Sequence, residues 1–271
     1  SSADHAINEE FQFKLTATLP ASNDNDRAYD YYEKYTVTFH DTLSAGITFD
    51  RWDTVVINNG GDDITIPGEK YIRDVSGQNL TLNIDNVKTC ASGLNLNNGA
   101  TITVTYTAHL NDNAFVNTAG GTTTDNKNSV YLTYSNNPKN NTSLGKTPKS
   151  EVCVYTYQLN NTKYHDKAEA GYELEGAGFR LYSDKDYNNE IKLKKNEDGT
   201  YSRDFSTDAK GVEMKSADDG TFNVKGLDAG TYYLKETSTP AGYSACDIPP
   251  VTIKATHTEE RVYLDGSTLS T

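Results

Sequence analysis

The sequence predicts an all-β protein built as two tandem units, and three observations carry that prediction. Apolar and polar residues alternate with period two over short runs. Clusters of Asn, Asp, Ser and Gly punctuate those runs. No stretch shows a helical period of ordinary length with capping residues at its ends.

The first run is Phe11-Gln-Phe13-Lys-Leu15, which places Lys14 on the face opposite the apolar residues. Tyr35-Thr-Val37-Thr-Phe39, Leu80-Thr-Leu82-Asn-Ile84 and Ile102-Thr-Val104-Thr-Tyr106 repeat the pattern. Turn signals fall between them at Ser22–Asp26, Asn58–Asp62 and Asn95–Gly99. Short strands separated by such turns suggest β-sandwiches. Asp50–Tyr71 fits no simple period and reads as an irregular segment able to host a binding site.

Composition changes over Asn136–Ser150, which holds two Pro, one Gly and a single apolar residue, Leu144. That is linker composition. The expected organisation is therefore a first domain over 1–138, a linker over 139–150 and a second domain over 151–271. Strands are expected near 152–164, 177–182, 221–226, 230–236 and 250–256. A chain of 271 residues accommodates two domains, at roughly 100–200 residues each. Nineteen Tyr and eight Phe supply aromatic area for two cores.

The formal charge of −13, from 38 acidic and 25 basic residues, argues against a nucleic-acid footprint and against anionic membrane surfaces. No apolar run approaches the roughly 18 residues of a membrane span. No secretory signal pattern stands within the sequence. Three cysteines, Cys90, Cys153 and Cys246, are too few for a disulfide scaffold, although Cys153 and Cys246 share the second half and a bridge between them stays open.

Enzyme signatures are poor. The five His are scattered, and no zinc-protease, nucleophile-elbow, P-loop or dinucleotide-binding pattern occurs. A sugar-active site would need two carboxylates about 5–10 Å apart in a groove, which sequence does not address. Asp184-Lys-Asp186-Tyr-Asn188-Asn-Glu190 resembles a calcium loop in its alternating oxygens. Its sixth and twelfth places hold Asn189 and Lys195 instead of Gly and Glu, so the loop fails. Asn23–Asp26 is a second oxygen-rich cluster that reads as a solvated turn. Neither a metal nor a cofactor is expected.

Two charged residues stand out. Tyr232, Leu234 and Glu236 share one strand face, so a carboxylate sits with large apolar side chains unless the strand ends there and Glu236 reaches water. The same parity puts Lys163 on the face of Leu159. A lysine and a glutamate on core faces suggest a buried pair, in which a dry site would lower the lysine pKa and raise that of the acid. A neutral amine, a protonated acid and a nearby Asn side chain are the parts of an amide crosslink.

The segment GLDAGTYYLKETSTPAGY (226–243), with LNNTK (159–163) and LEGAGFRLY (174–182), resembles the collagen-adhesin B-type (Cna B) domains of Gram-positive surface proteins and pilins. YTVTFHDTLSAGITF (35–49), NNGATITVTYTAHLN (97–111) and NSVYLTYSNNP (128–138) resemble the fimbrial isopeptide-formation domain of sortase-assembled backbone pilins. The resemblance implies two tandem Ig-like β-sandwiches, the first Cna A-like and the second Cna B-type with a prealbumin-like fold. It also implies a self-catalysed Lys–Asn isopeptide bond in each, without enzymatic turnover. Asp41 would assist in the first domain, with Asn128 as the amide partner and Asn136 as fallback on strand parity. In the second, Lys163 would be the nucleophile and Glu236 the assisting acid.

The sequence departs from that pattern twice. The first-domain lysine is expected upstream of Phe11, where none occurs, and Lys14 has the wrong parity. The second-domain Asn is expected beyond THTEERVYL, yet no Asn follows Asn223 and Asp265 stands in a turn-like setting. Each domain is accordingly expected to lack one partner through clipping of the ends, the rival being natural variants without crosslinks. The implied role is a shaft segment of a cell-wall-anchored surface polymer, with sister subunits and a sortase as partners. The alternative is the stalk or ligand-binding region of a surface adhesin.

Overall fold

A computed structural model describes residues 2–20, 28–91, 99–117, 124–254 and 267–270, with side chains omitted at 2, 28 and 267–270. The sequence cues at 22–26, 92–98 and 255–266, including Asp265, therefore lie outside the described residues. Helical structure among the described residues is confined to 3-10 turns at Ala28–Tyr31, Gly68–Lys70 and Val87–Thr89. The rest is strand and loop, so the chain is all-β, as its alternation predicts.

Eleven of the described strands precede residue 156: β1 (Ser2–Asp4), β2 (Glu10–Thr18), β3 (Val37–Leu43), β4 (Ile47–Asn58), β5 (Ile64–Thr65), β6 (Ile72–Ser76), β7 (Asn79–Ile84), β8 (Thr101–Leu110), β9 (Lys127–Ser135), β10 (Leu144–Lys146) and β11 (Ser150–Tyr155). They form two sheets. One runs β1-β11-β9-β3-β7-β6, with β10 on β9. The other runs β2-β8-β4-β5, extended beyond β2 by the late strand Ser267–Ser270. Phe11, Phe13, Leu15 and Ala17 of β2 are buried while Lys14 is exposed, as period two demands. Their partners include Phe39, Leu80, Leu82, Ile84, Ile102, Val104 and Val130. At about 1.5–3 kcal/mol for each fully buried large side chain, this layer of contacts is the main support of the first unit.

The second unit contains β12 (Tyr157–Leu159), β13 (Gly178–Tyr182), β14 (Glu190–Ile191), β15 (Leu193–Lys195), β16 (Tyr201–Arg203), β17 (Met214–Lys215), β18 (Val224–Leu227), β19 (Gly230–Ser238) and β20 (Val251–Ile253). Its sheets run β12-β18-β16-β15 and β14-β13-β19-β20, with β17 also on β13. Between them lies a separate core of Leu159, Phe179, Leu181, Leu193, Tyr201, Met214, Phe222, Val224, Tyr232 and Leu234. The Phe179 and Phe222 rings stack with centroids 4.0 Å apart.

The pairing differs from the sequence reading in two places. The stretch expected as a linker over 139–150 contains β10, which turns back to pair with Thr133–Ser135 of β9. Its Gly145 permits close approach, since a Cβ there would lie 2.9 Å from the Tyr134 ring. The strand expected to open the second unit, β11, instead pairs with β9 and buries Val152 and Val154 in the first core. Asp50–Tyr71 is also largely regular. Most of β4 lies in it, with register shifts at Phe49/Arg51 and Trp52/Thr54 that break period two locally.

The two cores meet at a shared seam. Ile7 is fully buried and its N–H donates to Gly226 O at 3.0 Å. Gly226 has φ +70, and a Cβ on it would lie 2.5 Å from Ile7 Cγ1. Asn117 N–H donates to Thr156 O at 2.7 Å, tying the crossing point of the chain to the first unit.

Candidate crosslinking sites

In the first unit, period two along β3 points Val37, Phe39, Asp41 and Leu43 inward. Asp41 is 2% exposed and Asn128, on the neighbouring β9, is fully buried. Their backbones are paired one step apart, with Leu43 opposite Asn128 and Asp41 opposite Val130. Tyr106 reaches across from β8 in the facing sheet. Its O–H donates to Asp41 Oδ2 at 2.5 Å. Asn128 Nδ2 donates to Tyr106 Oη at 2.5 Å and to Asp41 Oδ2 at 3.3 Å.

The remaining oxygens, Asp41 Oδ1 and Asn128 Oδ1, are buried without a hydrogen-bond partner. Burial pushes Asp41 up to about 7, and the hydrogen bonds from Tyr106, Asn128 and the Thr42 backbone offset it only in part. The Tyr106 hydroxyl is raised by its own burial and by the neighbouring carboxyl. Phe13, Phe49 and Trp52 enclose the Tyr106 ring, with centroids at 5.4, 5.7 and 5.7 Å. Tyr106 was not singled out in the sequence, although its parity with Ile102 and Val104 marks it as inward-facing.

Asn136 lies elsewhere. Strand β9 ends at Ser135, and Asn136 is exposed, accepting from Ser143 Oγ at 2.7 Å. Parity holds only while the strand continues.

In the second unit, Lys163 Nζ donates to Glu236 Oε2 at 3.0 Å. The Glu236 side chain is 1% exposed and that of Lys163 11%. Glu236 is positioned by β19, where it pairs with Phe179 of β13. Lys163 lies beyond the end of β12, held by Lys163 N–H to Gly220 O at 2.8 Å and Leu174 N–H to Lys163 O at 2.9 Å. Gly220 is needed for that approach, because its φ is +75 and a Cβ would stand 2.5 Å from Lys163 O. Glu236 Oε1 is buried without a partner.

Both pKa shifts run opposite to the dry-pair expectation. Burial pulls the Lys163 ammonium down, but its contacts with Glu236 and Cys246 more than offset this and its pKa is raised. Burial pushes Glu236 up, and the bonds from Lys163 and the Cys246 backbone leave it lowered overall. Each partner supplies the counter-charge that desolvation alone would deny.

Cys246 completes this cluster and had no sequence signal beyond its residue type. Its N–H donates to Glu236 Oε2 at 3.2 Å, and its Sγ lies 3.5 Å from Lys163 Nζ. No disulfide joins the three cysteines, so the Cys153–Cys246 bridge is not formed. The Asp184 carboxylate accepts N–H bonds from Asp186, Asn188 and Asn189, which shape the turn that carries it. No helix among the described residues is long and apolar enough to cross a membrane.

Comparison with known proteins agrees with this architecture. Residues 160–267 match the SpaA family, described as a prealbumin-like fold domain. The chain resembles a C-terminal fragment of the major pilin GBS80 of Streptococcus agalactiae, at 23% identity and TM-score 0.63, covering 93% of this chain and 86% of that one. It is also similar to the pilus 2b backbone protein of group B streptococcus, at 21% identity and TM-score 0.64, covering 94% and 89%. The full-length major pilin SpaD of Corynebacterium diphtheriae is 23% identical with TM-score 0.57, covering 89% of this chain and 54% of that one. A search of the curated proteins gives no match.

Proposed function

We propose that this chain is a shaft segment of a surface pilus whose two units are each built to carry an intramolecular Lys–Asn isopeptide bond. The observation that supports it is the repetition of one chemical arrangement in two separate cores. Each places a buried acid against one crosslinking partner, Asp41 against Asn128 and Glu236 against Lys163.

The chemistry follows from the geometry. An amine attacks the Asn side-chain carbonyl carbon; the new C–Nζ bond forms, the C–NH2 bond breaks and ammonia leaves. Moving one proton along the 3.0 Å Lys163–Glu236 bond turns the ion pair into a neutral amine and a carboxylic acid. Excluding water from the pair favours that neutral form. In the first unit, burial lifts Asp41 to about 7, so a share of the molecules carries its proton at neutral pH. A half-turn of the Asn128 amide sets its carbonyl against Asp41 and the Tyr106 hydroxyl, which then polarise it. Fixing the reactants in one core supplies most of the acceleration. No described residue is assigned as the amine for Asn128 or the amide for Lys163.

A bond between distant strands shortens the length of chain that can be drawn out by tension, which suits a polymer loaded end to end. On this reading the protein works at the surface of a Gram-positive cell, with sister subunits and a sortase as partners, and as a structural element without turnover. Peptide mapping of the native surface polymer tests it. The expected product is a branched peptide at Lys163, lighter by one ammonia than its parts, and absent in Glu236→Ala. A linear Lys163 peptide in every molecule overturns it.

A further inference from the structure

We propose that Lys163 and Cys246 form a redox crosslink: a peroxide oxidises the Cys246 thiol, and the Lys163 amine then captures the sulfur as a sulfenamide. Three independent features place the groups for it. Cys246 is exposed, so a small oxidant reaches it, whereas Cys90 is buried. Its sulfur sits 3.5 Å from Lys163 Nζ. The buried Glu236 carboxylate touches both partners through Oε2, and its Oε1 is buried without a hydrogen-bond partner.

The segment carrying Cys246 is pinned on both sides. Upstream, the Tyr243 ring lies 5.6 Å from that of His165, two residues beyond Lys163. Downstream, Ile248 and Val251 pack on the second core. The sulfur and the amine are thus held as neighbours, which favours intramolecular capture over reaction with a second thiol in solution.

The steps balance. The thiol and hydrogen peroxide give a sulfenic acid and water. Glu236 accepts one proton from the Lys163 ammonium across their hydrogen bond. The amine nitrogen attacks sulfur, the S–O bond breaks as the S–N bond forms, and the oxygen departs as water. One proton passes through Glu236 to solvent. A thiol reductant reverses the bond and restores amine and thiol. The consequence rests on the isopeptide reading: Lys163 held on sulfur is withheld from the amide, so oxidant present before closure would gate that clamp.

The test treats the purified protein with hydrogen peroxide and maps its peptides without reductant. The expected result is a Lys163 peptide joined to the Cys246 peptide, lighter than their sum by two hydrogens and released by a thiol reductant. Cys246→Ser abolishes it. Lys163→Arg keeps the positive charge beside Glu236 and should leave Cys246 as a sulfenic acid that dimedone traps. A linear Lys163 peptide in the oxidised protein, with dimedone labelling Cys246 as fully as in Lys163→Arg, overturns the proposal. So does recovery of Cys246 only as an intermolecular disulfide. Lys163 already amide-bonded in every molecule also overturns it and leaves the isopeptide reading standing. Failure to find any amide does not affect the sulfenamide result.

Discussion

Tyr106 and Asp41 belong to opposite sheets of the first unit and meet through a 2.5 Å hydrogen bond, with the tyrosine hydroxyl as donor. This contact bridges 65 positions of sequence. It joins the faces of the sandwich at the point where Asn128 is also buried.

Asp41 should make stability fall as pH rises. Its folded pKa of about 7 stands above the roughly 4 of an unfolded Asp. Below the lower value both states hold the proton. Between the two values only the folded chain does, so stability is lost across that window and levels off above it. Asp41→Asn should flatten this slope. Urea midpoints at several pH values across the window check it.

Tyr106→Phe keeps the ring against Phe13, Phe49 and Trp52 but removes the only donor hydroxyl of the cluster. Destabilisation of about 1–3 kcal/mol is expected, the cost of leaving the buried Asp41 carboxyl and Asn128 amide each one hydrogen bond short. Because the Tyr106 bond lowers the Asp41 pKa, its loss should move the pH window upward. A urea midpoint that drops with an unchanged slope would report the first effect.

Glu236→Ala leaves the Lys163 ammonium in a largely buried site without its counter-charge. A loss of about 3–5 kcal/mol is expected in the unlinked chain. Replacing both partners by apolar residues, as Lys163→Met with Glu236→Leu, should cost far less, since no unpaired charge remains. A double-mutant cycle measures the coupling. In the wild type, the lowered Glu236 pKa means the pair's contribution is present above the ordinary carboxylate range and lost as pH falls through the folded value.

Gly226→Ala should weaken the seam between the units. The added Cβ meets Ile7 at 2.5 Å, and the φ of +70 disfavours any side chain. A cost of about 1–3 kcal/mol is expected from overpacking alone. Calorimetry should show the two units melting further apart than in the wild type.

Much of this fold is legible because its signals are local. The inward set of β2, the outward Lys14 and the inward Glu236 all follow from strand periodicity. Where a bulge inserts a residue, as twice in β4, the same rule misreads a strand as irregular. Where a strand stops, as β9 does at Ser135, parity no longer carries Asn136 to the site. Linker composition at 139–150 reflected real turns, but turn residues do not say whether the chain leaves the sheet or folds back onto it, as β10 does.

Along the unbroken strands, inward or outward placement follows from the alternation of residues, because it depends on covalent backbone geometry over a few neighbouring positions. Tertiary structure decided which inward residues meet. It set Tyr106 on Asp41 from the opposite sheet, laid β11 in the first unit, and brought Cys246 beside Lys163 from 83 positions away. It also set the pKa shifts of Lys163 and Glu236 opposite in direction to those of a dry pair. These contacts close long loops, and their formation rests on the packing of two whole sheets rather than on any local preference of the chain.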